Sequence, residues 1–225
     1  MKFSESYRDR YSIEFPTIFG ICNFKNKRVL EIGSGREGYF VKEALKLTNK
    51  IVASDISIDI LNDLKKTVEV ENVVCNAEDL PFSDNSFDIV FSRWVAQDIK
   101  NLEKAIKEMC RVAKDNIIVV FPSEEGDETE LLQIKYPDKF ESRKKRIENV
   151  KKWISDCGFK VKEEKRLLKF LFPDVDEAVE IFSVLGFKNE ITGEEKLKLK
   201  EYFLSKRGKD GINFLQGASF ICGYK

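Results

Sequence analysis

Apolar and polar positions change period several times along this chain, and each change marks an element. A short apolar run at 28–32 meets three glycines, Gly33, Gly35 and Gly38. A helical pattern opens straight after them at Tyr39, with Phe40, Val41, Ala44 and Leu45 as its buried stripe. That reads as strand, tight turn, helix. The run 51–55 predicts a second buried strand ending in an acid, Asp55, and Ser57 caps the next helix, whose stripe is Ile60, Leu61 and Leu64. Further strands are expected at 68–75, 86–91 and 116–121, with a helix marked by Leu102, Ala105, Ile106, Met109 and Val112 between the last two. Strands alternating with helices in this way predict an α/β fold, doubly wound around a mostly parallel sheet.

The flanks are less regular. Tyr7, Tyr11, Phe15 and Phe19 recur every fourth residue, and Pro16 is expected to interrupt any single long helix there. Such a segment either packs on the sheet edge or closes its aromatics over a ligand. The polar stretch 123–140 breaks the alternation and reads as a loop, a lid or a connector. The run Arg143-Lys144-Lys145-Arg146 opens a helix with Ile147, Val150, Ile154 and Cys157 inside and Gly158 as its C-cap; the basic cluster reads as a solvated face. A sixth strand lies within 160–172. Asp174 caps a helix carrying Val175, Ala178, Val179, Phe182 and Leu185 with Gly186 past its end, and Thr192 and Glu195 form a capping box for another. A last strand is expected at 218–224.

At 225 residues the chain suits one domain, divided into an N-terminal helical segment (1–27), a ligand-binding core (28–121) and a helical insert (171–210). Its 39 basic and 39 acidic residues cancel, which removes the easy electrostatic case for nucleic acid. No apolar run approaches the roughly 20 residues that span a bilayer. The polar first residues do not resemble a secretory signal, and the five cysteines are scattered, so a cytoplasmic protein with reduced thiols is expected. Abundant Lys and Glu with scarce Gln point toward a heat-adapted source. There is no histidine, which excludes His-ligated zinc and a His general base; no metal site is expected.

The glycine loop carries the candidate chemistry. Gly33-x-Gly35-x-x-Gly38 with Asp55 about twenty residues on also fits a dinucleotide fingerprint. Glu31 decides between ligands: a carboxylate two positions before the first glycine repels a pyrophosphate and favours a ligand bearing an ammonium and a sulfonium. S-adenosylmethionine carries both. Asp55 can accept two hydrogen bonds from vicinal ribose hydroxyls, and Ile56 offers an apolar surface to an adenine face.

Four motifs, 29–35, Ala53-Ser54-Asp55-Ile56-Ser57, Ala77-Glu78-Asp79-Leu80-Pro81-Phe82 and Ser86-Phe87-Asp88-Ile89-Val90, resemble in order and spacing the class I S-adenosylmethionine-dependent methyltransferases, in the branch acting on small molecules. The resemblance covers about residues 28–121. It implies a seven-stranded sheet whose last strand runs antiparallel between strands five and six. It also implies that Gly33, Ser34 and Gly35 hold the methionine part, Glu31 orients it, Asp55 binds the ribose, and Asn76, Ala77 and Glu78 contact the adenine. Asn76 replaces an acid usual in the family, Glu37 stands where a glycine is commoner, and Lys114-Asp115-Asn116 replaces a Pro-Gly-Gly turn. After the fourth strand, Arg93, Gln97 and Asp98 are the candidate catalytic, acceptor-side residues; Gln97 stands where relatives often have histidine. The expected acceptor is a small molecule enclosed by 174–206 and 123–140, against a wall of Val175, Val179, Phe182, Leu185, Leu199, Tyr202 and Phe203. An RNA acceptor, a nicotinamide oxidoreductase and a donor-binding module without catalysis are the alternatives. Neither the identity of the acceptor nor the oligomeric state is written in the sequence.

Overall fold

The computed structural model describes residues 8–133, 136, 139–185 and 190–225; Tyr7, Gly186 and part of the 123–140 stretch lie outside them. In chain order the elements are α1 (Arg8–Ile21), β1 (Val29–Ile32), α2 (Tyr39–Ala44), β2 (Ile51–Asp55), α3 (Ile58–Lys65), β3 (Glu71–Val74), β4 (Phe87–Arg93), α4 (Leu102–Val112), β5 (Ala113–Gly126), α5 (Asp127–Gln133), α6 (Lys139–Asp156), β6 (Lys160–Phe172), α7 (Val175–Leu185), α8 (Gly193–Ser205), β7 (Arg207–Gly208) and β8 (Gly211–Tyr224).

The strands form one sheet in the order β3-β2-β1-β4-β5-β8-β6, with the two-residue β7 on β8. β1 pairs in parallel with both β2 and β4, and β2–β3 and β4–β5 are parallel as well. The winding therefore reverses between β1 and β4, and in such sheets ligands bind beyond the strands' carboxyl ends at that reversal. The last strand falls between β5 and β6 as expected. Among the described residues eight strands are present where seven were expected, because the chain forms β7 at 207–208 before entering β8.

The chain divides into two compact units. The core unit comprises 17–121, 147–164 and 219–225. On one sheet face Leu30, Ile32, Val52, Val90 and Val119 pack with Ile106, Met109 and Val112 of α4 and with Ile147, Val150 and Ile154 of α6. Against the other, Ala53 meets Val41, Leu61 and Leu64. The Phe40 ring stacks on Phe91 and meets Phe24 edge-on, while Phe19 joins them, so that this aromatic is spent on packing.

The second unit comprises 1–16, 122–146 and 165–218. Phe172, Phe182, Phe203 and Phe214 form its aromatic core. Val175, Val179, Phe182, Leu199 and Phe203, expected to wall an acceptor site, are all buried within this unit. Tyr202 is held instead by its hydroxyl, which lies 2.8 Å from a Glu130 carboxylate oxygen and 3.2 Å from one of Asp127.

Local signals behaved as written. The Ser57 hydroxyl accepts from the Ile60 amide, Asp174 from that of Glu177, and both bonds of the Thr192–Glu195 capping box are made. Two readings are corrected. α1 runs through Pro16, whose missing N–H removes one helical bond while Phe15 and Ile18 beside it are buried. Arg143 is not part of a solvated face: its guanidinium lies 3.3 Å from Glu128 and both side chains are largely buried. Most of the expected loop is also regular, since β5 continues to Gly126, α5 follows at once and α6 begins at Lys139. Among the described residues no helix is long and apolar enough to cross a membrane.

Candidate functional site

β1 ends at Ile32 because the next residues cannot continue it. Gly33, Gly35 and Gly38 take φ of +73°, +68° and +57°, in the left-handed region that costs a side-chain-bearing residue 1–2 kcal/mol by rough measure. The first amides of the turn do not face a ligand: those of Gly33 and Ser34 both donate to the Ser54 carbonyl, at 2.8 and 3.0 Å. In return the Ser54 hydroxyl donates to the Glu31 carbonyl at 2.8 Å, so β1, the turn and β2 are tied into one piece. A Cβ at Gly33 would meet Val95, whereas at Gly35 nothing lies within 4 Å. The turn is closed at its first glycine and open at its second. α2 then begins at Tyr39, where the helical pattern predicted it.

Glu31 is buried, at 1% exposure, and its Oε2 has no hydrogen-bond partner. Burial pushes its carboxyl up to about 8; the Arg93 charge and the Ser34 hydroxyl oppose that shift, and Asp55 adds to it. The register pairs Glu31 with Phe91, which puts Arg93, two residues on, on the same sheet face just past the end of β1. Next to it Trp94 adopts φ +58°, uncommon for a bulky residue and a mark of a constrained turn. The Trp94 amide donates to the Val120 carbonyl, and the Gln97 side-chain amide donates to the Trp94 carbonyl at 2.6 Å. Gln97 thus braces this turn.

Beyond the carboxyl ends of β1, β2 and β3 lies a cavity of about 410 Å³. Of the expected site residues, Gly33, Asp55, Ile56, Asn76, Ala77, Glu78 and Asp98 line it, while Glu31, Ser34, Gly35, Arg93 and Gln97 do not. Asp55 accepts from the Ser57 amide at 3.1 Å through one carboxylate oxygen. Ile56 is 70% exposed, an apolar side chain held out at the rim. The Asn76 amide oxygen accepts from the Glu78 amide at 2.9 Å, shaping the 76–79 turn and leaving one of its two lone pairs for a ligand. Glu78 faces α4, its carboxylate accepting from the Asn101 amide at 2.9 Å. Sequence reasoning missed Cys75, Ile99 and Lys100 on the wall. The i, i+4 pair Val95 and Ile99 was the available signal.

With this geometry in hand, comparison with known proteins is informative. A family model described as a methyltransferase domain matches residues 30–121. The malonyl-[acyl-carrier protein] O-methyltransferase of Buchnera aphidicola is 30% identical over 190 residues, covering 80% of this chain and 74% of that protein. A ubiquinone/menaquinone biosynthesis C-methyltransferase of Rickettsia prowazekii is 30% identical over 120 residues, 48% of this chain and 46% of that one. An uncharacterized Methanocaldococcus jannaschii protein is 40% identical over 93 residues, and the chain spans 35% of it; against these last two relatives the match covers half their length or less. Among solved structures, phosphoethanolamine N-methyltransferase 2 of Haemonchus contortus, in complex with phosphomonomethylethanolamine and S-adenosylhomocysteine, superposes with a TM-score of 0.60 at 20% identity, over 99% of this chain and 54% of that one. An S-adenosylmethionine-dependent methyltransferase of Aquifex aeolicus does so with 0.55 at 14% identity, over 98% and 95%. At those identities the two structures show a shared fold.

Proposed function

The chain belongs to the class I S-adenosylmethionine-dependent methyltransferases, and we propose that it moves the donor's methyl group to a small-molecule acceptor by in-line displacement. One observation carries the donor: a fully buried carboxylate oxygen of Glu31, without a partner, beside a glycine turn that is open at Gly35. An unpartnered buried acceptor is costly, and a ligand ammonium supplies what it lacks. A pyrophosphate in the same place would oppose ionisation of that carboxyl, whereas an ammonium favours it, which argues against the nicotinamide alternative.

The residues present fit the rest of the donor. Asp55 at the end of β2 suits vicinal ribose hydroxyls, Ile56 an adenine face, and Asn76, Ala77 and Glu78 the adenine edge; Ser34 and Gly35 suit the methionine part, whose carboxylate the Arg93 guanidinium would complement. When bound, the donor supplies an electrophilic methyl on a sulfonium. The protein's share is alignment and exclusion of water, worth several kcal/mol of barrier by general experience. Asp98, on the cavity wall, offers a carboxylate for a proton the acceptor must lose. Gln97 keeps the Trp94 turn in place.

A small acceptor is favoured over RNA because the densest basic run loses Arg143 to an internal pair. The small-molecule chemistries in the names of the Rickettsia and Haemonchus relatives agree with that reading. Titration of the protein with S-adenosylhomocysteine and with NAD, read by thermal shift and calorimetry, is the direct test. Stabilisation by the first alone is expected; binding of NAD alone would move the chain's activity to another class.

A further inference from the structure

The adenine-side wall is a short turn, closed by the Asp79 amide on the Asn76 carbonyl and tied to the start of α4 at Glu78. Residues 76–79 hang between the end of β3, where the Cys75 amide donates to the Asp55 carbonyl, and a segment at 80–85 that belongs to no helix or strand. That segment is held from outside by side chains, two of them on α4, while the Lys225 ammonium donates to the Asn85 side-chain oxygen at 3.0 Å at its far end. Arg111 of α4 donates through Nη2 to the Leu80 carbonyl (3.0 Å) and through Nη1 to the Phe82 carbonyl (2.7 Å) and the Asp84 carboxylate (2.8 Å). Glu108, one turn earlier, orients the guanidinium with bonds to Nε (2.8 Å) and Nη2 (2.7 Å), and the same carboxylate accepts from the Leu80 amide at 2.9 Å. The Arg111 carbonyl accepts from the Asn85 amide, closing the far end. Neither Arg111 nor Glu108 lines the cavity.

Holding three acceptors on one loop needs a planar fork of donors in fixed geometry; a lysine ammonium on a flexible stem cannot meet all three. We propose that Arg111 is a positioning residue for donor binding: acting through the 80–85 loop, it sets where Asn76 and Ala77 meet the adenine. This rests on the donor reading above. It goes further by placing selectivity for the 6-amino group in a side chain that never touches the ligand.

The test is calorimetric, with two ligands and two variants. S-adenosylhomocysteine and S-inosylhomocysteine differ only along one purine edge, where the 6-amino donor and N1 acceptor of the first become a 6-oxo acceptor and an N1–H donor in the second. The unaltered protein should prefer the adenosyl compound. In Arg111→Lys the adenosyl compound should weaken about tenfold and the inosyl compound much less, so that the preference falls toward one. A merely structural role would lower both affinities by the same factor and leave the ratio alone. Glu108→Gln keeps the shape while loosening the guanidinium and should move the ratio the same way by less; it decides the matter if the lysine variant fails to fold. An unaltered ratio in the folded variants, or equal binding of the two compounds by the unaltered protein, overturns the proposal. Binding of neither compound by the unaltered protein would instead refute the donor reading.

Discussion

Val95 stands against Gly33 so closely that a Cβ on the glycine would overlap one Val95 methyl and lie 2.9 Å from the Val95 Cβ. The glycine is therefore needed twice, for its φ of +73° and for the space its neighbour fills. Gly33→Ala should destabilise the core unit by roughly 2–4 kcal/mol, the sum of left-handed strain and overpacking. Adding Val95→Ala should recover the packing share and leave the backbone share. Urea unfolding of the two single variants and the double one closes the cycle, and additive losses would show that the contact carries no energy.

Glu31 gives the protein a pH signature. Its carboxyl is pushed from an ordinary 4.5 up to about 8 by burial, so between those values the folded chain holds a proton that the unfolded chain has lost. Stability from this group is present below the unfolded value and declines as pH rises through that window. Donor binding has the opposite sense, because the ligand ammonium prefers the ionised carboxylate. Affinity for S-adenosylhomocysteine should rise from about pH 6 toward pH 8 with release of a proton, and Glu31→Gln should abolish both the rise and the release. Calorimetry in buffers of different ionisation enthalpy measures this. A flat profile in the unaltered protein would remove Glu31 from the ammonium site.

Asp55→Ala should weaken S-adenosylhomocysteine by roughly 1.5–3 kcal/mol, the scale for hydrogen bonds to a charged group. Its bond to the Ser57 amide is local to the entry of α3, so a melting curve should shift little while the binding isotherm shifts much. Equal affinity in the variant would leave the ribose without this ligand.

What the sequence disclosed and what it hid divide along the range of the interaction. Turns, caps and strand ends are decided within a few residues, so the glycine turn, Asp55, the Ser57 cap and the Thr192–Glu195 box were all legible. So was the 76–78 stretch of the cavity wall, because its motif lies at a fixed distance from the others. Tertiary choices were not. Nothing in the chain says that Ser54 takes the first two amides of the turn or that Val95 seals Gly33. The periodicity of α7 and α8 announced a buried face without saying that Phe172 and Phe214 would cover it. Pro16 marked a lost hydrogen bond, but not that burial on both sides would carry α1 past it.

Arg143 illustrates the same limit and separates the two acceptor classes. Four consecutive basic residues look alike in sequence, yet Arg143 faces Glu128 with both side chains under 15% exposed, while Lys144 and Lys145 face solvent. Glu128 also accepts from the Gln216 amide at 2.9 Å, so removing Arg143 leaves a buried carboxylate with one neutral partner. Arg143→Ala should cost about 3 kcal/mol of stability in the second unit, as loss of one member of a buried pair does. Lys144→Ala with Lys145→Ala should change stability by less than about 0.5 kcal/mol. If the acceptor is a small molecule, the double lysine variant turns over normally and shows no altered salt dependence. If it is RNA, the same variant loses affinity uniformly across sequences, and its salt slope flattens by about one unit for each phosphate contact removed. Since the lysine pair leaves the fold alone, a salt-dependent loss of RNA binding in that variant has no structural explanation and would displace the small-molecule reading.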